Sequence, residues 1–518
     1  MAGSRWGRLA LSALSAVLLA LPIHHEGLWA IGGVCLVPML LACRKARPIE
    51  AVALGVFVGT LYGIAIALWI PAALQGLGSS RLASFAGLVA VSLWVAPPVF
   101  GLLGLLSRGT ASWAPGRRAA ALAAGVFAVE AIVGRAWWGV PWALLGHSQL
   151  GALGVAQLAV VGGVPLISAL LIGINALLTD AGLRRPGAVR LAAALTASWI
   201  ALWGAGMPLA EAVRPTPEGV AATELLLVQP DLPRGERWGD DLQPLNLHRV
   251  RQFTERALAE AGPGIAALVL PENLLTAPVD ASPALAAAVD AWVEALGVPV
   301  LTGLVLAPAV PDPSLYRSAV VWLEPGRGIT ARLDKERAIP LLESSRRFLG
   351  DALLAPLFGE AAGWKRVEEA RGWASLPGPI PVTPALCYEV LFPGIVARRR
   401  TPDSVAIVNL ADDSWVEGTT ATRQLTNLAR FRAIEQRLTL VRVAHGGLSA
   451  VVDPFGRVIH ELPLDRYASL RVSLSPMPPV AISERVAILA LPLAAFGVVG
   501  WCWARWQRMH AHTPGEVP

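Results

Sequence analysis

Three residues in this 518-residue chain have side chains suited to covalent acyl chemistry, and they come in the order Glu272, Lys335, Cys387. Cys387, in Ala385-Leu386-Cys387-Tyr388-Glu389, is the only cysteine in a polar stretch of more than 200 residues. Cys35, Cys43 and Cys502 lie in or beside long apolar runs. With no disulfide partner in its stretch, Cys387 is either a small buried hydrophobe or a nucleophile. Glu272 follows Pro271 at the end of one strand-like run, and Lys335 follows Asp334 at the end of another. Taken singly, Glu272 reads as a helix cap or surface acid, and Lys335, among Arg332, Asp334, Glu336 and Arg337, as a solvated charge. Taken together they make sense as chemistry. A thiol attacks as thiolate, and a free pKa of roughly 8.5 leaves little thiolate at neutral pH. A carboxylate can take the proton, and an ammonium can stabilise the thiolate and then the oxyanion of a tetrahedral intermediate.

The elements that must position these groups lie between residues 218 and 478. Short β-like runs (224–229, 266–271, 298–302, 319–323, 380–386, 405–409, 438–442, 449–453) alternate with helical patterns at about 242–261, 282–296 and 418–437. Such alternation predicts an α/β domain with a sheet core covered by helices. There is no glycine-rich phosphate loop and no metal-spaced His/Cys cluster, so neither cofactor nor metal is expected. The net charge of +6 comes largely from arginines in short loops, without a basic patch interleaved with aromatics, so no nucleic-acid partner is expected.

The rest of the chain is a different material. The sequence is 54% hydrophobic and 15% charged, against about 25% charged in ordinary soluble proteins. A helix needs about 20 apolar residues to cross a bilayer. Candidate spans fall at about 8–24, 27–43, 51–74, 83–106, 119–137, 159–182, 190–209 and 484–504. This divides the chain into a transmembrane domain of about seven helices (1–212), the α/β domain (218–478) and a C-terminal transmembrane helix (484–504). Arginines and lysines mark every second loop: Arg5 and Arg8; Arg44, Lys45 and Arg47; Arg108, Arg117 and Arg118; Arg184, Arg185 and Arg190; Arg505 and Arg508. The positive-inside rule therefore puts both termini in the cytoplasm and the α/β domain on the far side. Within the fifth span, Glu130 and Arg135 read as a structural pair, or as an arginine that snorkels to the interface, with a role at a lipid headgroup as the alternative.

These residues resemble the nitrilase superfamily, and over nearly the full length the chain is similar to the apolipoprotein N-acyltransferase family of Gram-negative bacteria. The resemblance is carried by Val228-Gln229-Pro230 with Arg237-Trp238, by Pro271-Glu272, and by Lys335 with Pro340 and Glu343. It continues through Cys387-Tyr388-Glu389, Asp413-Ser414-Trp415, Arg430 to Glu435, Asp453 to Gly456, and Gly139-Val140-Pro141-Trp142. It implies a polytopic α-helical membrane domain plus an αββα sandwich, with Glu272, Lys335 and Cys387 catalytic. Glu343, Tyr388 and Glu389 would support them, Glu343 and Glu389 by holding Lys335. Trp238, Trp142 and Trp415 are candidate lipid contacts.

The implied reaction moves an acyl chain from a membrane phospholipid, through a thioester, to the N-terminal amine of a diacylglyceryl-cysteine lipoprotein. It implies a bacterial inner-membrane enzyme with a periplasmic catalytic domain. A monomer is expected. A membrane-tethered amidase and a diverged paralogue with another acceptor are the alternatives. The sequence departs from the family pattern at Asn273, Arg317, Leu341, Leu342, Asp412 and His445. Residues 341–373, which mix apolar and basic side chains, read as a mobile arm over the site, with a packed surface helix as the alternative.

Overall fold

The computed structural model describes residues 4–510 apart from 137–138, 143, 215–220, 231, 233–239, 311, 313, 341, 344–365, 371–374 and 465. The expected arm thus lies mostly outside the described residues, as does Trp238.

Long apolar helices occupy Arg5–His24, Pro48–Ile66, Ala159–Gly182, Ala188–Val213 and Ile482–His510. Six helical segments among the described residues are long and apolar enough to span a bilayer, or seven if one bent pair counts as a span. The chain is a membrane protein. Three of the expected spans differ in form. The second is a 3-10 segment, Glu26–Gly33, followed by the helix Val37–Arg44. The third ends at Ile66, and a separate short helix runs from Ile70 to Gly76. The fourth is two helices, Arg81–Val95 and Pro97–Gly109, bent by 43°, because Pro97 and Pro98 offer no amide N–H to continue the first helix. The expected fifth span is a 19-residue helix, Pro115–Val133, more heavily charged than the long apolar helices. Arg117, Arg118 and Glu130 dilute it. Arg135 donates to the Ala131 carbonyl on its own turn and Glu130 is buried, so the two do not pair in the described structure. Helices Pro48–Ile66 and Pro97–Gly109 pack closely because Gly55 and Gly59 face backbone: a Cβ on either would collide with Phe100 or Pro97.

The α/β region is two sheets face to face. We number its strands β1 Thr223–Gln229, β2 Ala267–Val269, β3 Val300–Leu306, β4 Leu315–Glu324, β5 Gly328–Asp334, β6 Arg366–Val367, β7 Thr383–Leu386, β8 Ile407–Asp412, β9 Leu440–His445, β10 Ala450–Val452, β11 Val458–Glu461 and β12 Ala468–Leu474. One sheet runs β12-β1-β2-β3-β4-β5 with β6 paired to β4, and the other runs β11-β10-β9-β8-β7. Alternate residues explain the layers. Leu225, Leu227, Val269, Leu301, Val320 and Trp322 meet Leu386, Val408, Leu410, Val441 and Val443 between the sheets. Leu226, Val228, Leu268 and Val300 point the other way, onto helices Gln243–Ala261 and Pro283–Leu296 through Val250 and Trp292. Helices Pro393–Arg399 and Ala421–Gln436 cover the second sheet. The architecture is an αββα sandwich.

Helix Ala421–Gln436 also binds the sandwich to the membrane helices. Its Leu425, Leu428 and Ala433 belong to the sandwich, while Phe431 and Ile434 pack in the membrane-helix core. Arg430 holds both oxygens of Glu26 at 2.9 and 3.0 Å. Gln424 donates to the Ile66 carbonyl at 3.0 Å and accepts from the Trp142 indole at 2.9 Å.

Candidate active site

The three sequence-selected residues come from three loops at one end of the sandwich. Glu272 lies just beyond β2, Lys335 directly after β5, and Cys387 directly after β7. Glu272 and Lys335 are each 1% exposed and Cys387 is 5% exposed. Lys335 Nζ donates to Glu272 Oε1 at 3.0 Å and to Glu343 Oε1 and Oε2 at 3.1 and 2.9 Å. The Ser318 hydroxyl donates to the same Glu272 oxygen at 3.0 Å. Glu343 is fixed in turn by the Ile339 N–H at 2.9 Å. Gly303 leaves room for all this: a Cβ there would meet the Glu272 Cα.

Cys387 has φ +47°, in the left-handed region that non-glycine residues seldom adopt. It opens a tight 3-10 turn, Cys387–Leu391, and turns the chain sharply at the end of β7. Two side chains hold that corner. Asn409 donates to the carbonyls of Ala385 at 2.8 Å and Cys387 at 3.1 Å. Glu389 accepts the Leu386 N–H at 2.9 Å and binds Arg399 through both oxygens. Glu389 also accepts the N–H groups of Glu336 at 2.6 Å and Arg337 at 3.2 Å. It therefore meets the backbone just after Lys335, whereas Glu343 meets the Lys335 ammonium itself.

Electrostatics divide the roles. Burial raises the Glu272 carboxyl to about 7, Lys335 opposes this, and Glu343 and Asp412 add to it. Burial works against the charge on Lys335, yet Glu272 and Glu343 outweigh it and keep the ammonium well above the ordinary lysine value. Burial and then the charge of Glu272 push the Cys387 thiol well above its usual value, while Lys335 pulls the other way. The resting site thus holds a neutral thiol, a fixed cation and a carboxylate balanced near neutrality, which suits a general base.

Beside this cluster is an open apolar pocket. Trp69, Ala73, Leu74, Val91 and Trp94 form its membrane side, and Ile339, Leu342, Tyr388 and Trp415 its sandwich side. Trp69 lies edge-on to Trp415 with ring centroids 5.8 Å apart, and 5.4 Å from Trp142, which backs it. Tyr388 therefore connects the cysteine turn to a space shaped for hydrocarbon. Ser318, Asn409, Arg399 and Trp69 are site residues that the sequence reading did not select. The block Tyr316-Arg317-Ser318 was the available signal for the first. Among the described residues no group of His, Cys, Asp and Glu is arranged to hold a metal ion.

A thiol, a lysine and a glutamate thus meet at one end of an αββα sandwich. Residues 238–471 match the carbon–nitrogen hydrolase family, and residues 15–177 match the apolipoprotein N-acyltransferase N-terminal domain. The chain is 30% identical over 406 residues to an apolipoprotein N-acyltransferase of Bradyrhizobium diazoefficiens, covering 74% of this chain and 72% of that one. It is 29% identical over 534 residues to that of Azotobacter vinelandii, covering 99% and 98%. A solved amidase variant of the nitrilase superfamily from Nesterenkonia is similar at 18% identity and a TM-score of 0.37, covering 51% of this chain and 93% of that one. The chain belongs to the apolipoprotein N-acyltransferase family and is an acyltransferase.

Proposed function

We propose that this enzyme transfers a fatty acyl chain from a membrane phospholipid to the amino terminus of a diacylglyceryl-cysteine lipoprotein, in two half-reactions through Cys387. The observation that carries the reading is the Glu272–Lys335 pair beside a buried thiol, at the edge of an apolar cavity walled by membrane helices. In the first half-reaction Glu272 takes the thiol proton and the Cys387 sulfur attacks the ester carbonyl. The tetrahedral oxyanion forms beside the Lys335 ammonium, with the Tyr388 N–H as a second donor. Collapse breaks the ester C–O bond, and the lysophospholipid leaves with the proton from Glu272. In the second, the lipoprotein amine attacks the thioester, Glu272 takes its proton, and the C–S bond breaks to give an amide and the restored thiol. Two half-reactions on one nucleophile give ping-pong kinetics.

A cavity lined by Trp69, Val91 and Trp94 favours a lipid donor over a small amide, since hydrocarbon gains from burial there. The arginine-marked loops support cytoplasmic termini and a periplasmic sandwich. Domain limits of 1–212, 218–478 and 484–504 follow from the same reading. The test is intact-protein mass spectrometry after incubation with phospholipid vesicles. An acyl increment on Cys387, released by a diacylglyceryl-cysteine peptide but persistent in water, is expected. Hydrolysis of small amides without acylation by phospholipid would favour the amidase reading.

A further inference from the structure

The residue after the base is Asn273, and it is held by the opposite sheet. Its backbone turns through φ +53° and its side chain is buried. Asn273 Nδ2 donates to Asp412 Oδ2 at 3.2 Å. Asp412 is the last residue of β8, whose neighbour β7 leads to the cysteine. Its other oxygen accepts the Ser414 hydroxyl at 2.6 Å and the Ser414 N–H at 3.2 Å. Trp415, the next residue, is a wall of the apolar cavity. The Glu272 turn, the end of β8 and the cavity wall are thus joined through one carboxylate. Both Asn273 and Asp412 are places where the sequence departs from the family pattern.

We propose that Asn273 and Asp412 form a positioning pair that fixes the Glu272 turn against the cysteine-bearing sheet and places a second acidic group behind the base. The bond does the first task by bridging the two layers. The charge does the second, because a neighbouring carboxylate disfavours ionisation of Glu272. The other charged or titratable groups facing Glu272 are Lys335, Glu343, Cys387 and Tyr316. Asp413, next to Asp412, is matched by Arg442, and His445 stands opposite Asp412 in the β8–β9 register.

The proposal rests on Glu272 acting as the base, and the test separates the two ideas. Full-length enzyme in lipid–detergent micelles is assayed for thioester formation from phospholipid across pH, with folding followed by thermal melting. Asn273→Ala breaks the bond but keeps the charge, so the rate should fall while the acid limb stays in place. Asp412→Asn keeps the shape but removes the charge, so the acid limb should move to lower pH. The double variant N273D/D412N restores a donor, an acceptor and one negative charge, and should recover the rate lost in Asn273→Ala. Repeating the Asp412→Asn comparison in a His445→Gln background should leave the shift intact. A wild-type acid limb in folded Asp412→Asn, or a wild-type rate in folded Asn273→Ala, overturns the pair. Failure of Glu272→Gln to impair thioester formation would overturn the base itself.

Discussion

Glu389 accepts the backbone N–H of Glu336 at 2.6 Å, across 53 positions of sequence. The same carboxylate accepts the Leu386 N–H beside Cys387. One buried side chain therefore sets the distance between the loop that carries the cation and the loop that carries the thiol. It is itself neutralised by Arg399. Glu389→Ala leaves the Arg399 guanidinium buried without its main partner, a change that typically costs about 3–5 kcal/mol. We expect a lower melting temperature together with slow acylation. Burial raises the Glu389 carboxyl, but Arg399 and the backbone donors more than reverse this, leaving it below the ordinary range. Its stabilising effect is therefore complete above the unfolded carboxylate pKa and fades as pH falls through the depressed folded value. Acid melts of wild type and Glu389→Gln should converge in that range.

Cys387→Ala removes the only thiol among residues 218–478 and should abolish both half-reactions. Cys387→Ser should retain an acyl mass as a more stable ester, because an alkoxide leaves less readily than a thiolate. Intact-mass spectra of both variants check this, and acylated lipoprotein from the alanine variant would remove the cysteine from the mechanism.

The base should be visible in the pH profile. Glu272 is raised to about 7, mainly by burial. Only its ionised form accepts the thiol proton, so thioester formation should fall as pH drops through that value. Glu272→Gln should slow it by about 10²–10⁴-fold, the usual contribution of a general base, and should lose the acid limb. Stopped-flow acylation with a fluorescent phospholipid reads both.

Filling the cavity should discriminate between donors. Ala73 is buried in its wall. Ala73→Phe should raise the KM for long-chain phospholipid while leaving acylation by a short, water-soluble thioester near wild type. Equal losses on both donors would place the acyl chain elsewhere.

Orientation has its own check. A phosphatase reporter after Arg508 should be inactive and a tag near Pro311 should be accessible from outside the inner membrane. The reverse pattern would place the thiol in the reducing compartment.

Glu272, Lys335 and Cys387, which the fold brings to one end of the sandwich, stood out in the sequence because each ends a strand-like run and each differs sharply from its surroundings. Ser318 is a small polar residue within a strand, and apart from the block Tyr316-Arg317-Ser318 little separates it from a solvent-facing serine. Arg399 sits in the basic run Arg398-Arg399-Arg400, and only burial distinguishes it from its neighbours. Trp69 reads as a membrane-belt aromatic until the fold brings Trp415 to it. Strand β12 was missed because Arg471 interrupts its apolar pattern, as suits a sheet-edge strand half open to solvent. The expected Glu130–Arg135 pair failed on geometry: five helical positions place two side chains about 140° apart around the axis.

The pairing of β1 with β12 joins Thr223 to Leu474 and Gln229 to Ala468. During synthesis, β1 emerges roughly 240 residues before its outer neighbour, so its edge stays open through most of the domain's translation. Open strand edges template unwanted pairing, and contacts this distant in sequence form slowly. Biogenesis therefore has a late commitment step, reached only when the last strand is in place and the final span, Ile482–His510, follows it. A chain stopped short of residue 468 would retain Glu272, Lys335 and Cys387 yet present an unclosed sheet to quality-control proteases. Nonsense mutations near the end of the gene should thus behave as losses of the whole protein.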